Sequence, residues 1–321
     1  MFDLIIIGGG PTGINCAISA HKKGLKYLIL EKGVLVNSLF FFPANMTFFS
    51  TSKLLEIGEI PFISHTDKPT RKEALEYYRR LASSYDLNVN FYEAVEKMKK
   101  EEDGYLIKTS RSSYTTKSVI VATGFYDTVR KLGVPGEALL KVKHYYDEAH
   151  HYINQKVLVI GAANSACDVA LETWQKGAEV TMAIRSDKLY DRVKYWILPN
   201  IQNRIKEGSI TAHFNTEIVA IREKEVDLIN DGKVFTIAND WVLAMTGYKP
   251  DYDLLANLGI GINDDEYDTP ILDQDTLESS LPNVYLAGVL NAGMRTSTLF
   301  IENTRHHGEV IIDQILSKQH T

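Results

Sequence analysis

The stretch IIIGGGPTGINC, residues 5–16, decides the fold of this chain. It joins an apolar run to three glycines and then to a helix-like segment, which is the context that a dinucleotide-binding G-x-G-x-x-G turn requires. Gly8 permits the tight turn, Gly10 lets the backbone approach a pyrophosphate, and Gly13 lets helix and strand pack closely. The start of the helix then offers free N–H groups and a positive dipole end to the anion.

The residues after this turn complete a strand–turn–helix–strand unit. A helix is predicted from Gly13 to Lys23, and YLILEK, residues 27–32, predicts a second strand that ends in an acid. Glu31 lies 18 residues beyond Gly13, where a carboxylate accepts hydrogen bonds from a ribose 2′-hydroxyl. The first unit therefore predicts a nucleotide with a free 2′-hydroxyl.

The same order of elements returns in the middle of the chain. KVLVIG (156–161) predicts a strand, residues 164–177 a helix, and EVTMAIR (179–185) another strand. The positions of the three glycines are here occupied by Gly161, Ala163 and Ala166. Two copies of one supersecondary unit predict two nucleotide-binding domains of similar architecture.

The second turn differs from the first at the ribose. Arg185, 19 residues beyond Ala166, is interpreted as the residue that matches Glu31. An acid would repel a 2′-phosphate, whereas an arginine clamps one with paired N–H donors. Lys188 either assists or is a surface lysine. The second site is therefore predicted to bind NADPH.

Two dinucleotides in one chain imply electron transfer between them, and a hydride donor with a second redox carrier indicates NADPH plus FAD. We predict an α/β fold of two Rossmann-like, three-layer dinucleotide-binding domains, with the NADPH domain inserted into the FAD domain. The FAD domain is predicted to span 1–125 and 247–321, and the NADPH domain 126–246. A strand at 283–289 and a helix at 297–316 are expected to close the FAD domain.

The remaining segments connect these units. Glycine and proline in LGVPGE, residues 132–137, indicate a linker. The other predicted elements are a helix at 72–84, strands at 88–94, 118–124 and 240–251, a hairpin around Asp103-Gly104, and short strands within 210–236.

Composition narrows the function classes. The 321 residues are 45% hydrophobic, with a net charge of −6, and an acidic chain is a poor match for nucleic acid, which basic surfaces bind. No apolar run is long enough to span a membrane, no basic leader is visible, and no cluster of metal ligands occurs. We predict a cytoplasmic protein with no metal, no membrane partner and no nucleic-acid partner.

Two further motifs resemble a known class. ATG (122–124) and AGV (287–289) stand where low-molecular-weight thioredoxin-reductase-like flavoproteins contact FAD. Other segments, spread over the whole chain, are similar to the bacillithiol disulfide reductases: residues 41–62, 68–79, 195–200, 247–252 and 299–308. This resemblance implies an FAD protein, a homodimer or homotetramer, that uses NADPH to reduce an oxidised low-molecular-weight thiol.

The turns and the resemblance together predict the cofactor contacts. For FAD they are Gly8, Gly10, Pro11, Thr12, Gly13, Glu31, Lys32, Phe49, Ser50, Thr123, Gly124, Gly247, Gly288, Val289 and Thr298. For NADPH they are Gly161, Ala163, Asn164, Ser165, Ala166 and Arg185. Thr298, placed at the start of the last helix, is expected to turn its N–H toward the pyrimidine edge of the flavin.

The cysteines depart from the resembled families. The chain has no CxxC and no CxxxxC, and Thr12 stands where the family turn GGGPCG has its cysteine. Cys16 is interpreted as a packing residue, with a low-pKa thiol near a helix start as the alternative. Cys167 is interpreted as core. No catalytic residue other than the flavin is identified, and Cys16 and His307 are the weak candidates.

The histidines and aromatic residues carry less information. His306 and His307 are placed on the closing helix, with packing or solvent exposure favoured over catalysis, and His150 and His151 on a surface helix. An aromatic run is consistent equally with core and with apolar cover for the flavin ring: Phe40, Phe41, Phe42, Phe48 and Phe49.

The leading hypothesis is an NADPH-dependent, FAD-containing oxidoreductase that passes electrons to a small molecule or small redox protein, with a low-molecular-weight disulfide as one candidate. A flavin monooxygenase has a similar bridge region, but residues 142–148 read VKHYYDE and lack the FxGxxxH pattern. A thioredoxin-reductase-like ferredoxin or flavodoxin reductase needs no cysteines. A non-enzymatic flavin sensor is the fourth hypothesis.

Overall fold

The computed structural model describes residues 1–319 and divides the chain into two compact units. The first comprises Met1–Phe41, Met46–Thr128 and the chain from Tyr248 onward, and the second comprises Phe42–Asn45 and Val129–Gly247. Each unit contains one copy of the repeated strand–turn–helix–strand motif.

The elements follow one another as β1 (Phe2–Ile7), α1 (Pro11–Lys22), β2 (Tyr27–Leu30), α2 (Asn37–Phe40), α3 (Ser52–Leu55), α4 (Arg71–Ser84), β3 (Val89–Asn90), β4 (Val95–Glu101), β5 (Gly104–Thr109), β6 (Ser113–Val121), β7 (Thr128–Val129), β8 (Val142–Lys143), a 3₁₀ turn (Ala149–Tyr152), β9 (Lys156–Ile160), α5 (Asn164–Gln175), β10 (Glu179–Ala183), α6 (Leu198–Lys206), β11 (Thr211–His213), β12 (Thr216–Ile221), β13 (Glu225–Asn230), β14 (Lys233–Ala238), β15 (Trp241–Ala244), β16 (Tyr248–Lys249), α7 (Tyr252–Asn257), β17 (Val284–Leu286), a second 3₁₀ turn (Gly288–Ala292), α8 (Ile301–Thr304) and α9 (His307–Gln319). Within residues 1–319, no helix combines the length and the apolar character that crossing a bilayer requires.

The first unit is built on a seven-stranded sheet in the order β3-β2-β1-β6-β5-β4, with β17 also pairing with β6. The strands β3, β2, β1, β6 and β17 run parallel, whereas β4 and β5 form an antiparallel hairpin that pairs with β6. Both faces of the parallel strands are covered, by α1 and α9 on one side and by α7 and the hairpin on the other. Strands buried on both faces need continuous apolar runs, which explains residues 4–7 and 27–30.

The second unit repeats this plan at smaller scale. A parallel sheet in the order β11-β10-β9-β15-β8 packs against α5 and α6, and a separate antiparallel sheet β12-β13-β14 covers its other face. The predicted fold class, α/β with Rossmann-like parallel sheets, is thereby confirmed. The strand predicted at 88–94 is shorter than expected, with only Val89–Asn90 paired.

The predicted closing helix at 297–316 is wrong in its bounds, because residues 297–300 are not helical and α8 ends at Thr304 before α9 begins at His307. The cause of the break is visible in the hydrogen bonds. The Gly308 N–H donates to Asn15 Oδ1 on α1, at 3.2 Å, so it leaves the helical ladder.

The N-terminus of α4 gives a stability prediction. Glu73 accepts the backbone N–H groups of His65 at 2.8 Å and Thr70 at 2.7 Å, and Thr70 caps Glu73 in return. These N–H donors, first that of His65, lower the pKa of Glu73 to about 2. Glu73→Ala is expected to cost about 1 kcal/mol of unfolding free energy at pH 7, measured as a shift of the urea midpoint.

The pH dependence and a matched control complete this prediction. A carboxyl whose pKa is lower in the folded state stabilises fully above its ordinary value of 4.5 and loses that contribution as pH falls toward 2. The difference in unfolding free energy between Glu73→Ala and wild type should therefore decrease as the pH falls from 4.5 toward 2. Lys72→Ala, at an exposed position in the same helical turn, should stay within about 0.5 kcal/mol of wild type at every pH, and an equal loss would contradict the capping account.

Candidate functional site

Four parallel strands of the first unit bring most of the predicted FAD residues to one edge. The neighbours β2, β1, β6 and β17 end at Leu30, Ile7, Val121 and Leu286. The carboxyl ends of parallel strands share an edge of the sheet, which is where open α/β sheets bind ligands. The residues that follow these strands are Glu31 and Lys32, Gly8 to Gly13, Thr123 and Gly124, and Gly288 and Val289.

The first turn shows the close approaches that its glycines imply. Gly8 has φ +107°, and a Cβ there would lie 2.6 Å from the carbonyl oxygen of Ala122. A Cβ on Gly13 would lie 2.0 Å from the Gly8 carbonyl oxygen, whereas a Cβ on Gly10 would have no atom within 4 Å. Two glycines are therefore needed for packing, and the third leaves open space beside the turn.

The start of α1 is open to an anion. Gly10 is the N-cap, Pro11 is the first helical residue, and no side chain caps the helix. The N–H groups of the first helical turn have no acceptor within the helix, so those of Thr12 and Gly13 remain for a ligand. The open space at Gly10 and these donors together fit a pyrophosphate.

Glu31 is held rigidly at the end of β2. Its two carboxylate oxygens accept the N–H groups of Gly9 at 2.7 Å and Gly33 at 2.8 Å, and its side chain is buried. Burial raises the pKa of Glu31, and the two N–H donors oppose that rise. Each oxygen keeps a lone pair for a further donor, so the predicted ribose contact fits this arrangement. Lys32 instead pairs with Asp127 at 2.9 Å.

Thr12 lies at the centre of several contacts. Its Oγ1 is 3.3 Å from Thr304 Oγ1, and a Cβ on Gly288 would lie 2.9 Å from the same atom. Thr304 donates its own hydroxyl proton to the Phe300 carbonyl at 2.8 Å. Thr12 must therefore be the donor to Thr304. With its one hydroxyl proton used in this way, the Thr12 hydroxyl can only accept a hydrogen bond from a ligand.

Both cysteines are buried and isolated from solvent. Burial raises the pKa of Cys16 and of Cys167 to about 12, and each has 0% exposure. The alternative prediction of a low-pKa thiol at Cys16 disagrees with this geometry. The side chain points into the core between α1 and the sheet, so the helix dipole does not offset the cost of desolvating a thiolate.

Three other predicted flavin contacts, at Gly124, Gly247 and Thr298, lie in different surroundings. Gly124 approaches Val289, whose Cγ2 would be 3.8 Å from a Cβ on the glycine. Gly247 is exposed and belongs to the second unit. Thr298 does not begin a helix as expected, because its hydroxyl donates to the Arg295 carbonyl in a turn that precedes α8.

The aromatic run is mostly not core. Phe48 is buried, whereas Phe40, Phe41 and Phe49 are 44%, 51% and 59% exposed. The Phe49 ring lies under the ammonium group of Lys68, at 4.8 Å; Ser50, the next residue, is half-buried.

The second turn repeats the first with alanines. Gly161 has φ +132°, and a Cβ there would lie 2.7 Å from the Met245 carbonyl oxygen and 3.2 Å from the Ala166 methyl group. The N-cap of α5 is Ala163, and no side chain caps the helix, so the N–H groups of Ser165 and its neighbours face outward as in α1.

Asn164 has a structural bond that the sequence did not indicate. Its Oδ1 accepts the Lys194 N–H at 2.7 Å, and its Nδ2 donates to the Arg192 carbonyl at 3.4 Å. Its side chain therefore holds the loop after β10 at the start of α5, and its backbone N–H and the second hydrogen of Nδ2 remain for a phosphate.

The strand register corrects the comparison between Glu31 and Arg185. Leu30 accepts the N–H of Gly8, and Ala183 accepts that of Gly161, so the residue equivalent to Glu31 is Ile184. Ile184 is fully buried. Arg185 lies one residue further on and is exposed, at the same edge of the sheet as the second turn.

Sequence reasoning missed the contacts made by the C-terminal segment. His307 is buried, and its Nδ1 accepts the Gly288 N–H at 3.1 Å. Asn15, a buried polar residue within the opening motif, receives the Gly308 N–H; its amide among apolar neighbours was the available signal. His150 and His151 lie exposed on the first 3₁₀ turn.

Comparison with known proteins agrees with this geometry. A model of the family described as pyridine nucleotide-disulphide oxidoreductase matches residues 5–288. Bacilliredoxin reductase Bdr of Bacillus subtilis strain 168 is 42% identical over 317 residues, 98% of each chain.

Two solved structures are also similar over almost the whole chain. Bacillithiol disulfide reductases Bdr from Staphylococcus aureus and Bacillus cereus both have a TM-score of 0.96, with 42% and 40% identity. The alignments cover 99% of this chain and 98% and 99% of those chains. The predicted resemblance is thus confirmed. The chain belongs to the pyridine nucleotide-disulphide oxidoreductase family, which confirms the prediction of an FAD- and NADPH-dependent oxidoreductase.

Proposed function

We propose that this protein takes reducing equivalents from NADPH and delivers them through FAD to a small disulfide. The observation that supports this most strongly is the pair of helix starts that no side chain caps, at Gly10 and at Ala163, each at the carboxyl edge of a parallel sheet. Bacillithiol disulfide, named in the Staphylococcus aureus and Bacillus cereus relatives, is the first acceptor to test.

In this proposal the residues of the first unit bind and orient FAD. The N–H groups at the start of α1 hold the pyrophosphate, and Glu31 holds the ribose. When bound, the flavin supplies the redox chemistry. Arg185 and the start of α5 hold the NADPH phosphates in the second unit. The site residues, the assignment of the cofactors to the two units, the homodimer or homotetramer and the cytoplasmic location stay predictions.

The acceptor must be reduced without a covalent bond to a protein thiol. The chain has only Cys16 and Cys167, and both are fully buried with a pKa raised to about 12. A thiol attacks a disulfide as its thiolate and needs access to it. Neither condition is met, which also keeps a second candidate open: a ferredoxin or flavodoxin as electron acceptor, since such a reaction needs no protein thiol.

A flavin and acceptor assay tests the proposed function. The purified protein should be yellow, and anaerobic NADPH should bleach the flavin absorbance. Adding bacillithiol disulfide should then restore the colour, whereas ferredoxin should not. Colourless protein that gains no flavin on incubation with FAD would contradict FAD binding, and recovery with ferredoxin alone would favour the second candidate.

A further inference from the structure

The turn after β17 depends on a single side chain for one of its backbone groups. Gly288 is buried with φ +86° and packs so tightly on Thr12 that a Cβ would lie 2.9 Å from its Oγ1. The Gly288 N–H donates to His307 Nδ1 at 3.1 Å. A buried N–H without an acceptor is costly, so this bond fixes the direction of the turn.

The backbone next to His307 is fixed at the start of α9. The Gly308 N–H donates to Asn15 Oδ1 at 3.2 Å, and a Cβ on Gly308 would lie 2.4 Å from that oxygen. Asn15 and Thr12 are both on α1, one helical turn apart. Contacts therefore connect three elements in pairs: α1, the Gly288 turn and the start of α9. His307 makes the contact between the Gly288 turn and the start of α9.

His307 can play this part because it is neutral. An imidazole accepts a hydrogen bond only through a nitrogen that carries no proton, so the ring proton is on Nε2. Burial, and secondly the neighbouring His306 ring, lowers the pKa of His307 to about 4. The acceptor at Nδ1 is therefore present throughout the neutral range.

We propose that His307 is a positioning residue for FAD, which holds the Gly288 turn against Thr12 and so keeps that edge of the site in the shape that retains the cofactor. The proposal rests on the proposed FAD site at the ends of β1, β6 and β17. It assigns no proton transfer to His307, and the histidine acts through the Gly288 backbone.

Three variants test this proposal on the holoprotein as purified. His307→Ala removes the acceptor, His307→Asn supplies Oδ1 in its place, and His306→Ala changes the adjacent, exposed histidine as a matched control. The readout is the rate of FAD release after dilution, followed by the rise in flavin fluorescence, together with visible circular dichroism of the bound flavin.

We expect FAD release to be about tenfold faster in His307→Ala, because leaving a buried N–H unpaired has an effect of that size. His307→Asn should release FAD within about threefold of wild type, and His306→Ala should match wild type. Wild-type retention in His307→Ala, or release from His307→Asn as fast as from the alanine variant, would overturn the proposal. If His307→Ala fails to fold, His307→Asn is compared with wild type alone, and FAD release that is about tenfold or more faster than wild type overturns the proposal. A wild-type protein that binds no FAD would overturn the proposed function as well. Failure of the proposed function is therefore distinguishable from failure of the His307 proposal, in which wild type still binds FAD.

Discussion

Replacing Arg185 by alanine is expected to remove most of the preference for NADPH over NADH. Arg185 is exposed and stands two residues beyond Ala183, whose carbonyl accepts the Gly161 N–H at 3.1 Å. In the proposed function, a guanidinium at this point contacts the 2′-phosphate of NADPH. A hydrogen bond to a charged group contributes about 1.5–3 kcal/mol, which corresponds to roughly tenfold to a hundredfold in affinity.

Anaerobic flavin reduction at varied NADPH and NADH concentrations measures this preference. The apparent NADPH affinity should fall by that factor in Arg185→Ala, and the NADH affinity should stay unchanged because NADH has no 2′-phosphate. Lys188→Ala is the matched control, since Lys188 is on the same loop but pairs with Asp191 at 2.8 Å. A similar loss for both nucleotides would mean that Arg185 supports the loop rather than the phosphate.

The geometry of the two glycine turns could be predicted from the sequence because its causes are local. Gly8 and Gly13 are needed by atoms within a few residues or on the adjoining strand, and the apolar runs before Gly8 and Gly161 identify the strands. The assignment of Arg185 as the residue that matches Glu31 was wrong. Arg185 lies 19 residues beyond Ala166, whereas Glu31 lies 18 beyond Gly13, and the strand register makes Ile184 the residue equivalent to Glu31.

The contacts of the C-terminal segment could not be predicted in the same way. Thr12 and Thr304 are 292 positions apart, and Asn15 and Gly308 are 293 apart. No local pattern encodes such pairs, because they arise only when α8 and α9 pack on α1. The break between α8 and α9 has the same origin, since the Gly308 N–H bonds to Asn15 instead of continuing the helix.

Position 12 is where we expect the departure from the resembled disulfide reductases to affect chemistry. Thr12 is the second residue of α1, at an N-terminus without a side-chain cap. A thiol at a helix N-terminus is biased toward the thiolate and attacks disulfides. The threonine hydroxyl instead donates to Thr304, 3.3 Å away, and it cannot form a mixed disulfide.

Thr12→Cys is therefore expected to create a covalent route that the wild-type protein lacks. After turnover with NADPH and bacillithiol disulfide, mass spectrometry should find no thiol adduct on wild type and an adduct at position 12 on the variant. Flavin reduction by NADPH should stay within about twofold, because Thr12 lies in the first unit and Arg185 in the second. Thr12→Ser keeps the hydroxyl and should behave as wild type.

An adduct at Cys16 in the wild-type protein would contradict the buried, protonated thiol described above. Disulfide reduction that is equally fast in wild type and variant would show that electrons reach the acceptor without help from this position. A large gain in the variant alone would show that threonine at position 12 has turned the same scaffold toward a different acceptor.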